Sequence, residues 1–237
     1  MGKYLSLIQD YAQQFKPIIE KKTGIKLEEI IVRNSFEYPN SNLYPHLRGA
    51  PMFVALAEYP NTVFVKDYDF ENENVVFTSI HIGVAHELSH IIYLKLAVEK
   101  LRTIKSKPAR ERLIKGLKST SFQEGFAEYM SLDSLTDVYD KKTQYFLNLY
   151  HNSLEPRDGP HKRGYEFFRK VLGVIGIDKV FEVARSPPIS EIEVKIPFLY
   201  LLRRYPAQGV RNIPNFFTKA IRTKILKKIY GYAPLDF

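Results

Sequence analysis

Cysteine is absent from the 237 residues. That one absence excludes a disulfide scaffold, a cysteine-ligated zinc finger, an iron–sulfur cluster and a cysteine nucleophile. Any metal must be held by histidine and carboxylates. Also missing is an apolar run of about 18 residues, so no membrane-spanning helix is expected. Met1 to Leu5 begin an amphipathic stretch, with no charged segment leading into an apolar one, which argues against a signal peptide. No internal repeat is visible. The expectation is a free cytoplasmic enzyme.

What is present points to a folded chain. Hydrophobic residues make up 45%, including 16 Phe and 16 Tyr, which fills a sizeable core and excludes general disorder. Lys+Arg 35 against Asp+Glu 26 leaves a net charge of +9. The charge is compatible with nucleic-acid, anionic-membrane or acidic-peptide partners. A basic tail runs from Arg203 to Lys228, but no nucleic-acid motif accompanies it, and a run of this kind reads first as a solvated face.

Apolar residues at helical spacing from Tyr4 to Ile19 predict an amphipathic helix ending at Gly24. Leu27 to Val32 reads as a strand, residues 34–51 as loop, and Met52 to Leu56 and Thr62 to Val65 as strands or one interrupted edge strand. Tyr68 to Asn74 is an acidic turn. A helix apolar nearly all round follows from about Ser79 to Leu101, capped by Thr78 or Ser79, and therefore interior. Arg102 to Lys118 is a basic segment. Another helix opens near Ser121 and continues to about Leu135; the remainder reads as helices broken near residues 155–160, 173–176, 186–188 and 205–209. The fold class is α+β, with residues 1–135 as an N-terminal lobe and 136–237 as a mainly helical lobe closing a cleft.

Inside the interior helix stands His86-Glu87-Leu88-Ser89-His90. Four residues advance an α-helix by about 400°, so both imidazoles share one face. There they can meet one zinc ion at about 2.1 Å each. Glu87 sits one step from His86, close enough to take a proton from water at the metal without being a ligand. Only 6 of 237 residues are histidine, and two exposed, solvated histidines fit poorly with apolar flanks. Catalytic zinc needs a third protein ligand. Glu124 is the candidate, with Glu128 one turn on to orient a ligand imidazole. The alternative for Glu124 is a Ser-x-x-Glu capping box with Ser121.

His86-Glu87-Leu88-Ser89-His90 followed by Glu124-Gly125-Phe126-Ala127-Glu128-Tyr129 resembles the gluzincin metallopeptidases, which pair His-Glu-x-x-His with a downstream Glu ligand. The Glu-Gly-Phe-Ala stretch looks most like the M1 aminopeptidases and related small peptidases of the MA clan. The resemblance implies a thermolysin-like zincin domain, with an N-terminal mixed sheet, an active-site helix and one zinc. Pro160-His161-Lys162-Arg163-Gly164 is similar to the M1 segment Pro-Tyr-x-Lys-Gly, whose Tyr stabilises the oxyanion. His161 stands in that place. Ala57-Glu58-Tyr59-Pro60-Asn61 sits where that family carries Gly-x-Met-Glu-Asn, whose Glu holds the free amino terminus of the substrate. The match covers Ala55 to Leu172, with a longer gap from His90 to Glu124 than is usual in the family.

The implied activity is peptide-bond hydrolysis on a peptide or protein substrate, with Glu87 as general base. His161, or failing that Tyr165, donates to the oxyanion. Alternatives stand beside these roles. His161 reads equally as a surface-loop residue, Tyr165 as a core aromatic and Glu58 as a charged turn residue before Pro60. His81 is structural, and His46 and His151 carry no pattern. Two rival functions are a non-catalytic protein with structural zinc, which would not need Glu87, and a basic nucleic-acid-binding protein.

Overall fold

The computed structural model describes residues 3–34, 55–58, 60–65, 73–136, 138 and 159–211. Met52 to Val54, most of the acidic turn, His46, His151 and the tail beyond Arg211 lie outside the described residues.

Helix α1 (Lys3–Thr23) buries Leu5, Ile8, Ala12, Phe15 and Ile19, spaced three or four apart. Gly24 ends it at φ 67°, a conformation that other residues adopt only with strain, and its N–H donates to the Glu20 carbonyl at 2.8 Å. The returning chain is then held by α1 side chains. Leu27 N–H donates to Glu20 Oε1 at 2.6 Å. The Gln9 amide donates to the Ile30 carbonyl at 2.8 Å and accepts from Val32 N–H at 2.9 Å. Leu27 and Ile30 thus bond to α1 side chains and not to a neighbouring strand, and β1 begins later, at Ile31–Asn34.

Strands β2 (Ala55–Glu58) and β3 (Thr62–Val65) complete a three-stranded mixed sheet in the order β1-β3-β2. β3 runs parallel to β1, with Ile31 opposite Thr62, and antiparallel to β2, with Glu58 opposite Thr62. Val63, Phe64 and Val65 are buried, as a central strand requires.

Helix α2 (Glu73–Thr103) has 31 residues. It starts before the expected cap at Thr78 or Ser79, because residues 73–77 contain neither proline nor glycine to stop it. Ile80, Val84, Ala85, Leu88, Ile91, Ile92 and Leu96 are each 1% exposed or less. Helix α3 (Lys107–Leu117) takes up the basic segment, with Pro108 in its first turn where a missing N–H is harmless. Helix α4 (Thr120–Leu135) is capped by Ser119, whose hydroxyl accepts from Phe122 N–H at 3.2 Å. Ser121 is inside the helix, so the capping box expected between Ser121 and Glu124 does not form. Helix α5 (Pro160–Ile175) is followed by a 3-10 turn (Ile177–Lys179) and four short helices: α6 (Val180–Ala184), α7 (Glu191–Lys195), α8 (Pro197–Arg204) and α9 (Pro206–Arg211).

The architecture is therefore mostly helical with one small mixed sheet, an α+β arrangement. One buried apolar cluster runs from Leu5 to Leu201, across the boundary expected between residues 135 and 136. Among the described residues, no helix is long and apolar enough to cross a membrane.

Helices α4 and α5 meet at two glycines. A Cβ added to Gly125 would overlap the Gly164 backbone, and one on Gly164 would overlap the Ser121 carbonyl and Gly125. Beside this crossing Phe122 stacks on Phe168 at 5.0 Å between centroids, with Phe167 edge-on to both. Such pairs add about 0.5–1.5 kcal/mol each beyond their burial. Gly164→Ala should therefore force the helices apart and lower unfolding free energy by about 1–3 kcal/mol or more in urea titration. An unchanged midpoint would show that the crossing is not tight.

His81 is 4% exposed and lies edge-on to Tyr11, at 3.9 Å between centroids, and to Phe15. Burial pushes its pKa from 6.5 down to about 4. Between those values the unfolded chain binds a proton that the folded chain does not, so His81 lowers stability as pH falls through this window. Denaturation at pH 7 and pH 4 should show a smaller drop for His81→Phe than for the parent. Equal drops would mean that His81 does not titrate on unfolding.

Candidate metal centre

The 3.6-residue period sets His86 and His90 one turn apart on α2, and the crossing of α2 with α4 brings Glu124 to them. His86 Nε2 lies 3.0 Å from His90 Nε2 and 3.1 Å from Glu124 Oε2, and His90 Nε2 lies 3.2 Å from the same oxygen. Three donor atoms thus form a nearly equilateral triangle. Tetrahedral coordination at about 2.0–2.1 Å sets ligand atoms about 3.3–3.4 Å apart, so the triangle matches a zinc-sized ion with slight compression.

Glu128 lies one turn beyond Glu124 on α4. Its Oε1 is 3.1 Å from His161 Nδ1 and 3.6 Å from His86 Nδ1. The expected approach of Glu128 to a ligand imidazole is present, although 3.6 Å is longer than a hydrogen bond. His161 is in the first turn of α5 and not in a surface loop. Its ring stacks on His86 with centroids 5.4 Å apart, and its Nδ1 is 3.4 Å from Glu124 Oε2. His86, Glu128 and His161 make a second donor group sharing His86, which spacing along the chain does not reveal.

Charge decides how the cluster behaves. Burial alone pushes the His86 pKa down; the hydrogen bond with Glu124 and the charges of Glu128, Glu87 and Glu124 outweigh it and lift it to about 9. Burial pushes Glu124 up, but its bonds to His86 and His90 hold it well below the usual carboxylate range. His161 is likewise raised: burial opposes its charge, and Glu128 more than compensates. Metal uptake here would displace a proton, and affinity would weaken as pH falls. Three largely buried carboxylates, Glu87, Glu124 and Glu128, make the site hospitable to a divalent cation.

Glu87 is 8% exposed, and among the described residues its carboxylate makes no hydrogen bond or ion pair. Tyr165, one turn beyond His161, is half-buried against Tyr129, with centroids 6.3 Å apart. Burial raises its pKa, Arg169 opposes the shift, and Glu166 and then Glu128 add to it. Glu58 is exposed at the end of edge strand β2, with no hydrogen bond or ion pair to the cluster. Sequence reasoning missed Gly125 and Gly164 as the residues that let α5 reach the site. Their signal was a glycine inside each helical pattern, where it is unfavourable by about 1 kcal/mol relative to alanine.

Comparison with protein-family models, curated proteins and solved structures finds no match for this chain.

His86→Ala, His90→Ala and Glu124→Ala should each abolish stoichiometric metal uptake in equilibrium dialysis followed by elemental analysis. The parent should hold one ion per chain. Full occupancy in Glu124→Ala would remove Glu124 from the ligand set.

Proposed function

We propose that this chain is a zinc-dependent peptidase of the gluzincin type with a thermolysin-like active-site arrangement, working in the cytoplasm. The observation that supports it is the pairing of the His86–His90–Glu124 triangle with Glu87, a buried carboxylate next to His86 in the helix that acts on His86 through its charge and makes no hydrogen bond or ion pair among the described residues.

Bound zinc would supply Lewis acidity toward the scissile carbonyl and a lowered pKa for water in its open position. The remaining chemistry belongs to the protein. Glu87 takes the proton from the attacking water and returns it to the leaving amine. His161, held by its contact with Glu128, which favours the protonated ring, donates to the oxygen that becomes negative. Glu128 holds that imidazole and faces Nδ1 of His86. Tyr165 is the second donor candidate, one turn along α5. Glu58, at the end of edge strand β2, binds the free amine of the substrate in an aminopeptidase version of the reaction.

Glu87 also separates this reading from a structural metal site. A structural site draws no benefit from a carboxylate left without a hydrogen bond among the described residues.

Glu87→Gln should keep its metal while peptide turnover drops by about 10²–10⁴-fold, the range of general-base contributions. Turnover would be followed on one peptide in free and amino-acetylated forms. Undiminished turnover by metal-loaded Glu87→Gln would exclude the mechanism. Efficient cleavage of the acetylated form would leave the peptidase reading intact but exclude the amine-binding role of Glu58.

A further inference from the structure

Helix α3 leans on the turn between α6 and α7. A Cβ on Gly116 would come within 2.6 Å of the Pro188 carbonyl and 2.9 Å of the Pro187 ring. Toward the N-terminal end of α3, a cavity of about 390 Å³ opens between that helix, residues 186–189 and the end of α8. It shares no residue with the metal cluster. Its volume falls within the range of about 300–1,000 Å³ found for small-molecule sites.

The lining has two characters. Ala109, Leu113, Pro187 and Ile189 make it apolar, while Arg112, Arg203 and Arg204 make it cationic; no carboxylate lines it. The three arginines are not equivalent. Arg203 is locked by buried Glu193, with Nε to Oε1 at 2.7 Å and Nη2 to Oε2 at 2.9 Å. The same carboxylate accepts from Ile189 N–H at 2.9 Å, and Arg203 Nη2 lies 3.4 Å from the Pro187 carbonyl. This ion pair therefore fixes the wall and the turn together while cancelling its own charge. Among the described residues, Arg112 and Arg204 have no carboxylate partner. Both are exposed at the rim of the same cavity, and Arg204 also donates to the Tyr205 hydroxyl, so an anion entering there meets two guanidinium groups that no carboxylate neutralises among the described residues.

The geometry points to a binding site, separate from the metal centre, for a small amphiphilic carboxylate whose head pairs with Arg112 and Arg204 and whose short apolar body lies on Leu113 and Pro187. The planar arginine fork suits a carboxylate. No aromatic ring lines the cavity to stack a nucleobase, and two guanidinium groups without a carboxylate are too few for a polyphosphate. A medium-chain fatty acid and the carboxyl end of an apolar peptide share this chemistry.

Calorimetric titration of the full chain tests it with octanoate, octanol and octylamine as probes, and with a short peptide ending in leucine, free or amidated. Octanoate should bind saturably, one per chain, and the alcohol and the amine should not. Arg112→Gln should weaken octanoate by about tenfold or more with the melting temperature unchanged. Ala109→Phe, which fills the cavity, should abolish binding. Glu124→Ala should leave octanoate affinity intact, so the result is independent of the peptidase reading. Tighter binding of the free-ended peptide than of octanoate, lost on amidation, would support the site and name the peptide terminus as its ligand; the reverse order would support it and name the fatty acid. No saturable binding of either carboxylate, equal affinity for octanol, or an unaffected Arg112→Gln would overturn the proposal.

Discussion

The site depends on a backbone contact between two glycines. Packed helix axes ordinarily stand about 8–10 Å apart because side chains separate them. Gly125 and Gly164 remove those side chains from both helices at one point, and α4 and α5 approach until backbone meets backbone. Glu124 immediately precedes Gly125, and His161 lies one turn before Gly164. The crossing thus delivers an imidazole from α5 to carboxylates on α4, with Nδ1 3.1 Å from Glu128 and 3.4 Å from Glu124. The Phe122, Phe167 and Phe168 rings hold the helices at this spacing.

A second constraint comes from burial. The middle of helix α2 is buried, so His86 and Glu87 have little contact with water. Their charges must be balanced within the protein. Glu124 and Glu128 favour protonated imidazoles, and a divalent cation would balance the same carboxylates with more charge and fixed geometry. Cation binding and folding are then linked, since the donor triangle exists only when α2 and α4 are packed.

Local signals in the sequence were enough to identify much of this. The apolar spacing of α1, the all-round apolar character of α2 and the helix through Phe122 and Phe126 were readable from periodicity. The Thr62–Val65 strand was readable from its composition. Errors fell at element ends. Leu27 and Ile30 bond to Glu20 and Gln9 instead of a strand, and Ser119 caps α4 where Ser121 carries the same local signature. In both cases the competing partner lay outside the window of the local pattern.

The same division runs through the candidate centre. The sequence by itself determined that His86 and His90 share a face, because helix pitch converts a spacing of four into one turn, and it singled out Glu87 and Glu124 as their chemical companions. It left Glu124 divided between a cap and a ligand, and His161 between a loop and the site. Only tertiary structure decided where they stand: Glu124 beside both imidazoles and not in the cap of α4, and His161 on α5 beside Glu128. Glu124 stands 34 residues from His90 and His161 stands 33 from Glu128, and no local periodicity spans such separations. Their meeting depends on packing of α4 against α2 and α5, down to the missing side chains of Gly125 and Gly164, and Glu58 stays outside the cluster because it belongs to the sheet edge instead of that packed set.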